Sequence, residues 1–428
     1  LNIAIFITVI IYIDLLQFFA IMLTIQKEDS TTMKYTFAAR FNNITPSGIR
    51  AVLEKAAGPD MINFSPGFPD NDAFPANDIQ KISQDVLKED IYTILQYSRG
   101  TTYPPLKKAL KAFFNRQEKI FTENDDLMVT SGSGEGLEMA AKVFLNPGES
   151  IIVEDPTFVG ALNGFISNDA KLLGVPVESD GMNLGLLEEA MQSTPAPKLL
   201  YIIPTFQNPT CITTSLEKRR AIYDLCLKYN IIILEDNPYG TLRFKGKTIP
   251  TLKSIDTEGI VVYCASLSKI ISPGIRLGTI IANKEIIDKF NILKGASAGA
   301  VTNWSQHVIA RFLETVDMDK HLAHLQSVYG KKSTFMVEMM KKTFHPDVKF
   351  TTPEGGMFVW FELPKYADAR TFLNRATTMH IAIVNEETFA VNRRDKMNGF
   401  RLSFTSATME QIETGIAKLG KLTYELCK

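Results

Sequence analysis

Seven short apolar runs between residues 127 and 282 constrain this chain more than any other feature. They are LMVTS (127–131), SIIVE (150–154), KLLGV (171–175), KLLYIIP (198–204), IIILED (231–236), IVVYCA (260–265) and TIIA (279–282). Stretches with helical spacing stand between or after them, at 134–145, 157–167, 183–192, 215–229 and 284–296. A strand that is apolar at every position has no face to turn to water. Such strands pair in parallel under helices on both sides. The expected class is therefore α/β, with a mostly parallel seven-stranded sheet and flanking helices.

The texture changes after residue 300. Asn303 to Lys342 reads as long helical text, EGGMFVWFELP (354–364) and GFRLSFTSA (399–407) alternate as antiparallel strands do, and Met409 to Cys427 reads as a final helix. The division expected is a large domain over 78–310 and a small α+β domain over 311–428, joined by an arm at 33–77. In that arm Ile49, Val52, Leu53 and Ala56 share one helix face, with Ser47 as its N-cap. Residues 1–32 open with a run long enough to span a bilayer. Asp14 interrupts it, no basic residue precedes it, and Met33 opens MKYTFAARF, which looks like a natural start. The run is read as an extension outside the native fold, so membrane attachment is not expected and a cytoplasmic location is.

Composition removes several classes. The chain has 428 residues, 45% hydrophobic and 22% charged, with a net charge of −1. That leaves no basic footprint for nucleic acid. Four cysteines and five histidines form no C-x-x-C or H-E-x-x-H pattern, so no disulfide framework and no metal site is expected.

Chemistry concentrates at strand ends. The run IVVYCA leads into Ser266, Ser268, Lys269 and Arg276. A lysine there can condense with a carbonyl cofactor while hydroxyls and an arginine hold that cofactor's phosphate. SGSGEG (131–136) lacks the dinucleotide-binding spacing but offers amides and the Ser133 hydroxyl at a helix start. Asn208 follows the fourth run; Asp236 closes the fifth and Tyr239 follows it. Ligands of open α/β sheets bind at the carboxyl ends of strands, where one pocket could gather all of these. Taken singly, each is as readily a turn or cap residue.

Together, TSGSGEGLEMAAKVFLNPGESIIVEDPTFVGAL, QNPT, EDNPYG, SLSKIISPGIRLG, GGMFVW and FRLSF resemble a class I/II aminotransferase of the fold-type-I superfamily that uses pyridoxal phosphate (PLP). The branch most similar includes the kynurenine/2-aminoadipate and aromatic aminotransferases. The resemblance covers Tyr35 to Lys428. It implies that Lys269 binds the cofactor covalently and then shuttles a proton. It implies that Asp236 faces the pyridine nitrogen, that Asn208 and Tyr239 hydrogen-bond the phenolic oxygen, and that Phe158 stacks on the ring. Ser133, Gly134, Ser266, Ser268 and Arg276 would bind the phosphate. Tyr97 would reach the site of a neighbouring subunit, so a homodimer is expected. Arg401 would clamp the substrate α-carboxylate, Arg50 a distal carboxylate, and Gly67 would lie by the substrate.

Three positions depart from the family pattern. Phe158 stands where relatives often have Tyr, Gly134-Glu135 replaces a common Gln-Gln, and Cys211 replaces the glycine of N-P-T-G. The expected reaction moves an amino group between an amino acid, aromatic or 2-aminoadipate-like, and a 2-oxo acid, with 2-oxoglutarate and glutamate as one pair. A β-lyase or decarboxylase on the same fold shares these motifs. A sensing regulator would add a basic winged-helix segment, which residues 1–34 do not contain.

Overall fold

A computed structural model describes residues 35–42, 44, 58, 60–392 and 397–428. The helix expected around Ile49 to Ala56, and with it Arg50, lies outside the described residues, as does the apolar run at 1–25. The strands, in chain order, are β1 (Ile62–Asn63), β2 (Asp125–Thr130), β3 (Ser150–Asp155), β4 (Lys171–Glu178), β5 (Gly181–Met182), β6 (Leu199–Ile202), β7 (Ile232–Asp236), β8 (Val261–Ser266), β9 (Gly278–Asn283), β10 (Lys349–Phe350), β11 (Phe358–Glu362), β12 (Ile381–Ala382), β13 (Val384–Asn385) and β14 (Gly399–Ser403).

The large sheet has the order β2-β9-β8-β7-β6-β3-β4-β5. From β8 to β4 all neighbours are parallel. β9 runs antiparallel to both β8 and β2. The seven runs seen in the sequence are the seven long strands. The eighth, β5, is a two-residue antiparallel edge piece beside β4, too short for any periodicity to announce.

Successive residues of each strand enter opposite cores, which is why every position is apolar. Ile151, Val153, Leu199 and Tyr201 pack with Leu137, Ala140 and Phe165 on one face. Ile152, Leu200 and Ile202 pack with Leu187, Ile222 and Cys226 on the other. The helices begin where side chains can satisfy their first amides. Asn183 caps Leu184–Met191, Ser215 caps Leu216–Tyr229 and Asn283 caps Lys284–Ala296. The sequence shows these helices to within about two residues.

Asn303 to Lys342 is not one helix. It divides into Asn303–Thr315 and Met318–Thr343. Asp317 leaves helical geometry and accepts from the amides of Asp319 and Lys320, which starts the second helix afresh. A second sheet, β10-β11-β14-β13, is antiparallel throughout. Its Phe361 and Phe400 stack at 5.1 Å beneath Phe372 of the helix Ala369–Thr378. β1 pairs with β12 in parallel, which ties the early chain to the late chain. Residues Asn42–Lys428 form one compact unit; of the other, Leu1–Phe41, the exposed stretch 35–41 is described. Among the described residues no helix is long and apolar enough to cross a membrane.

Candidate active site

The strands β3, β6, β7 and β8 end at one edge of the sheet. The connection after β3 goes outward to β4, while that after β6 goes inward to β7. The crevice between β3 and β6 is therefore a topological switch point. A cavity of about 210 Å³ lies there. Gly67, Ser133, Phe158 and Asn208 line it, and so do Asp236, Tyr239, Ser266, Lys269 and Arg401.

Lys269 ends the short turn Leu267–Lys269 that follows the fully buried β8. Its Nζ donates to the Gly67 carbonyl at 2.8 Å. Burial, with the cations of Arg401 and Arg276 behind it, pulls the amine down to about 8. An ammonium that loses its proton this readily is a usable nucleophile near neutral pH.

Asp236 closes β7 and is 2% exposed. Tyr201, on the neighbouring β6, donates its hydroxyl to Oδ2 at 3.0 Å. The other oxygen, Oδ1, is buried and has no partner among the described residues. Burial raises this carboxyl to about 7, against the Tyr201 hydroxyl, which lowers it. A cationic N–H brought to Oδ1 would satisfy the orphaned oxygen and pull the carboxyl back down.

Arg401 lies on β14 and is 1% exposed. Its Nη1 donates to Asn208 Oδ1 at 2.7 Å and its Nη2 to the Ser65 carbonyl. Nε is buried without a partner among the described residues. The guanidinium lies between two rings, 4.2 Å from the Phe358 centroid and 4.8 Å from that of Phe389. Burial brings it down to about 10, so it stays charged at neutral pH. This is a desolvated planar cation with no carboxylate beside it among the described residues, suited to receive one. Asn208 Nδ2 donates to the Tyr239 hydroxyl at 3.4 Å, and burial pushes that phenol up.

The Ser133 end is built from backbone. Gly132 takes φ 80° and precedes the helix Ser133–Phe144. A Cβ there would lie 2.6 Å from Arg276 Nη2, so only glycine lets the guanidinium rest on the turn. Arg276 itself donates to the Ser131 carbonyl at 3.0 Å. Ser268 is buried, its amide held by the Ser266 hydroxyl at 3.3 Å. The exposed amide-bearing turn, two hydroxyls and a guanidinium could hold a phosphate.

Gly134, Ser268 and Arg276 are not among the residues lining the cavity, and one expected residue stands elsewhere. Tyr97 is 93% exposed and does not line this cavity. Arg50 is not among the described residues. The departures from the family pattern have physical readings. Cys211 adopts φ 59°, the left-handed region that favours glycine. Its Sγ is buried and approaches the Gly355 carbonyl at 3.5 Å. Phe158 keeps an aromatic ring on the cavity wall. Glu135 accepts from the Ser131 amide at 2.6 Å.

Sequence reasoning missed Tyr201, Phe358, Phe389 and the Ser65 carbonyl. Tyr201 carried a signal: a hydroxyl inside a wholly buried strand requires a partner. The others are brought in by folding from remote segments.

Known proteins place the chain in a family. Residues 59–419 match the family model described as aminotransferase class I and II. The chain belongs to the class I and II aminotransferases. The aromatic-amino-acid aminotransferase 1 of Thermococcus litoralis is 34% identical over 94% of this aminotransferase and 98% of its own length. A crystal structure of Pyrococcus horikoshii kynurenine aminotransferase, in complex with PMP, KYN and KYA, superimposes with a TM-score of 0.88 at 31% identity. It covers 94% of this chain and 100% of that one. The alpha-aminoadipate aminotransferase of Thermus thermophilus, complexed with N-(5'-phosphopyridoxyl)-L-leucine, gives 0.83 at 29% identity over 91% and 98%.

The aminotransferase thus transfers an amino group between an amino acid and a 2-oxo acid with pyridoxal phosphate as cofactor. Its cavity fits that cofactor on its own chemistry. It offers an amine held near 8 for an aldehyde and a buried carboxylate oxygen with no partner among the described residues for a pyridinium; beside it, a glycine-opened turn carries a guanidinium for a phosphate.

Proposed function

We propose that Lys269 is the residue that binds pyridoxal phosphate covalently and afterwards carries the proton of the reaction. The observation that carries this is the placement of its Nζ and the unpartnered Oδ1 of Asp236 in one cavity. When bound, the cofactor supplies an electron-withdrawing ring that stabilises negative charge at the substrate α-carbon. Asp236 keeps that ring's nitrogen protonated. Asn208 and Tyr239 orient the ring from its oxygen side, and Phe158 packs on its face. Ser133, the Gly134 amide, Ser266, Ser268 and Arg276 hold the phosphate.

The Lys269 amine, when not bonded to the cofactor, would accept the α-proton and deliver it to the carbon on the far side of the amino nitrogen. Arg401 holds the α-carboxylate. Its two bound Nη groups exchange the Asn208 and Ser65 oxygens for, or share them with, the incoming carboxylate, and its unpartnered Nε gains one. The rings of Phe358 and Phe389 exclude water around that pair, which strengthens it.

The donor class proposed is an aromatic or 2-aminoadipate-like amino acid, with 2-oxoglutarate as acceptor. Support comes from the aromatic cavity wall of Phe68, Phe158 and Phe358 and from the names of the relatives. Arg50 is assigned to the distal carboxylate, with Gly67 beside it. The working unit proposed is a homodimer in which Tyr97, fully turned to solvent within one chain, completes the neighbouring site. The test is a donor screen. Oxo acid should form beyond one equivalent per site only when 2-oxoglutarate is also present, with aromatic amino acids or 2-aminoadipate preferred. Continued turnover without any acceptor would contradict the proposal.

A further inference from the structure

One buried cation has no part in the reaction described above. Lys294, near the end of the helix Lys284–Ala296, has a side chain 1% exposed. Its Nζ meets Glu135 Oε1 at 2.5 Å. Glu135 Oε2 accepts from the Ser131 amide at 2.6 Å, and the Ser131 carbonyl accepts from Arg276 Nη2 at 3.0 Å. A continuous chain of contacts therefore runs from Lys294 through Glu135 and the Ser131 backbone to the Arg276 guanidinium. The next residue, Gly132, is where that guanidinium rests on the turn, and Gly278 of β9 backs it closely. A Cβ on Gly278 would stand 2.5 Å from Gly132 C and Ser133 N.

A carboxylate in the first turn of the helix Ser133–Phe144 complements the helix dipole. That does not account for burying an ammonium against it, which costs free energy unless the charge serves as a partner. Left alone, the Glu135 carboxylate would also repel a phosphate arriving at the same turn.

We infer that Glu135 and Lys294 are positioning residues for the phosphate end of the cofactor. Glu135 holds the Ser131 backbone by its amide, and so steadies the carbonyl on the other side of the same residue that accepts from the Arg276 guanidinium; Lys294 cancels the carboxylate's charge. The inference rests on the reading that the phosphate lies between Ser133 and Arg276.

The test compares dissociation constants for pyridoxal phosphate and for phosphate-free pyridoxal, followed by absorbance on purified protein. Lys294→Met strands the carboxylate and should weaken pyridoxal phosphate about tenfold or more, with pyridoxal unchanged. The double variant Glu135→Gln/Lys294→Met keeps an acceptor for the Ser131 amide without charge and should recover most of that loss. Glu135→Leu/Lys294→Met, which lacks the acceptor, should not recover it. The last two variants carry no stranded charge and keep the comparison available if Lys294→Met does not fold. Equal weakening of both ligands, no weakening, or identical behaviour of the two double variants would overturn the inference. If the unaltered protein binds the two ligands equally well, it is the phosphate reading of the cavity that fails instead.

Discussion

The cavity contains two buried cations, Lys269 and Arg401, and they are treated alike by their surroundings. Both are stripped of water, and among the described residues neither has a carboxylate beside it. Yet the amine comes down to about 8 and the guanidinium only to about 10. The first is poised to lose its proton near neutral pH and the second is not. The same desolvation thus yields a nucleophile at one end of the cavity and a permanent anchor at the other, because the two groups start from different basicities. Their supports differ in a matching way. Lys269 hangs from a strand end with one carbonyl contact, whereas Arg401 is held by Asn208, Ser65 and two aromatic rings.

Exchanging the roles should break the enzyme at either end, most severely at the lysine. Lys269→Ala should bring turnover to background while leaving non-covalent cofactor binding, read by absorbance and steady-state rates. Next in size is Arg401→Lys, which keeps a charge but loses the planar fork. Loss of a desolvated carboxylate contact costs about 2–5 kcal/mol, and it should appear in kcat/KM with cofactor affinity unchanged.

Asp236→Asn sharpens the account from the anionic side. The folded carboxyl sits near 7, above its ordinary value, so the folded state holds its proton where the unfolded chain has lost it. Stability of the cofactor-free protein therefore falls as pH rises from about 4 to 7. The substitution removes that penalty. It should raise the thermal midpoint more at pH 8 than at pH 5, while abolishing transamination.

A smaller effect separates Lys269 from surface lysines. In the cofactor-free protein, its rate of reaction with pyridoxal should rise with pH around a midpoint near 8, not near an ordinary lysine's 10.4. The smallest expected change is Tyr201→Phe. It removes the hydroxyl that lowers Asp236 and should shift the acid-side pH dependence upward, with activity reduced only a few-fold.

The lysine end of the site was legible in the sequence and the arginine end largely was not. Ser266, Lys269 and Arg276 follow one buried run within eleven residues, and Asp236 closes another, so strand periodicity and strand ends locate them. Arg401 takes its environment from residues 65, 208, 358 and 389, which no local pattern joins. The sheet was legible because each run feeds two cores and so had to be apolar throughout. The break at Asp317 was not, because a capping aspartate within helical text looks like any exposed acid until its amide partners are seen. Likewise β5 owes its pairing to the turn after β4, not to its own two residues.

Reduction with borohydride, followed by digestion and mass spectrometry, tests the central claim most directly. A single peptide bearing the reduced cofactor on Lys269 is the predicted result. Cofactor fixed to any other lysine, or to none, would contradict it.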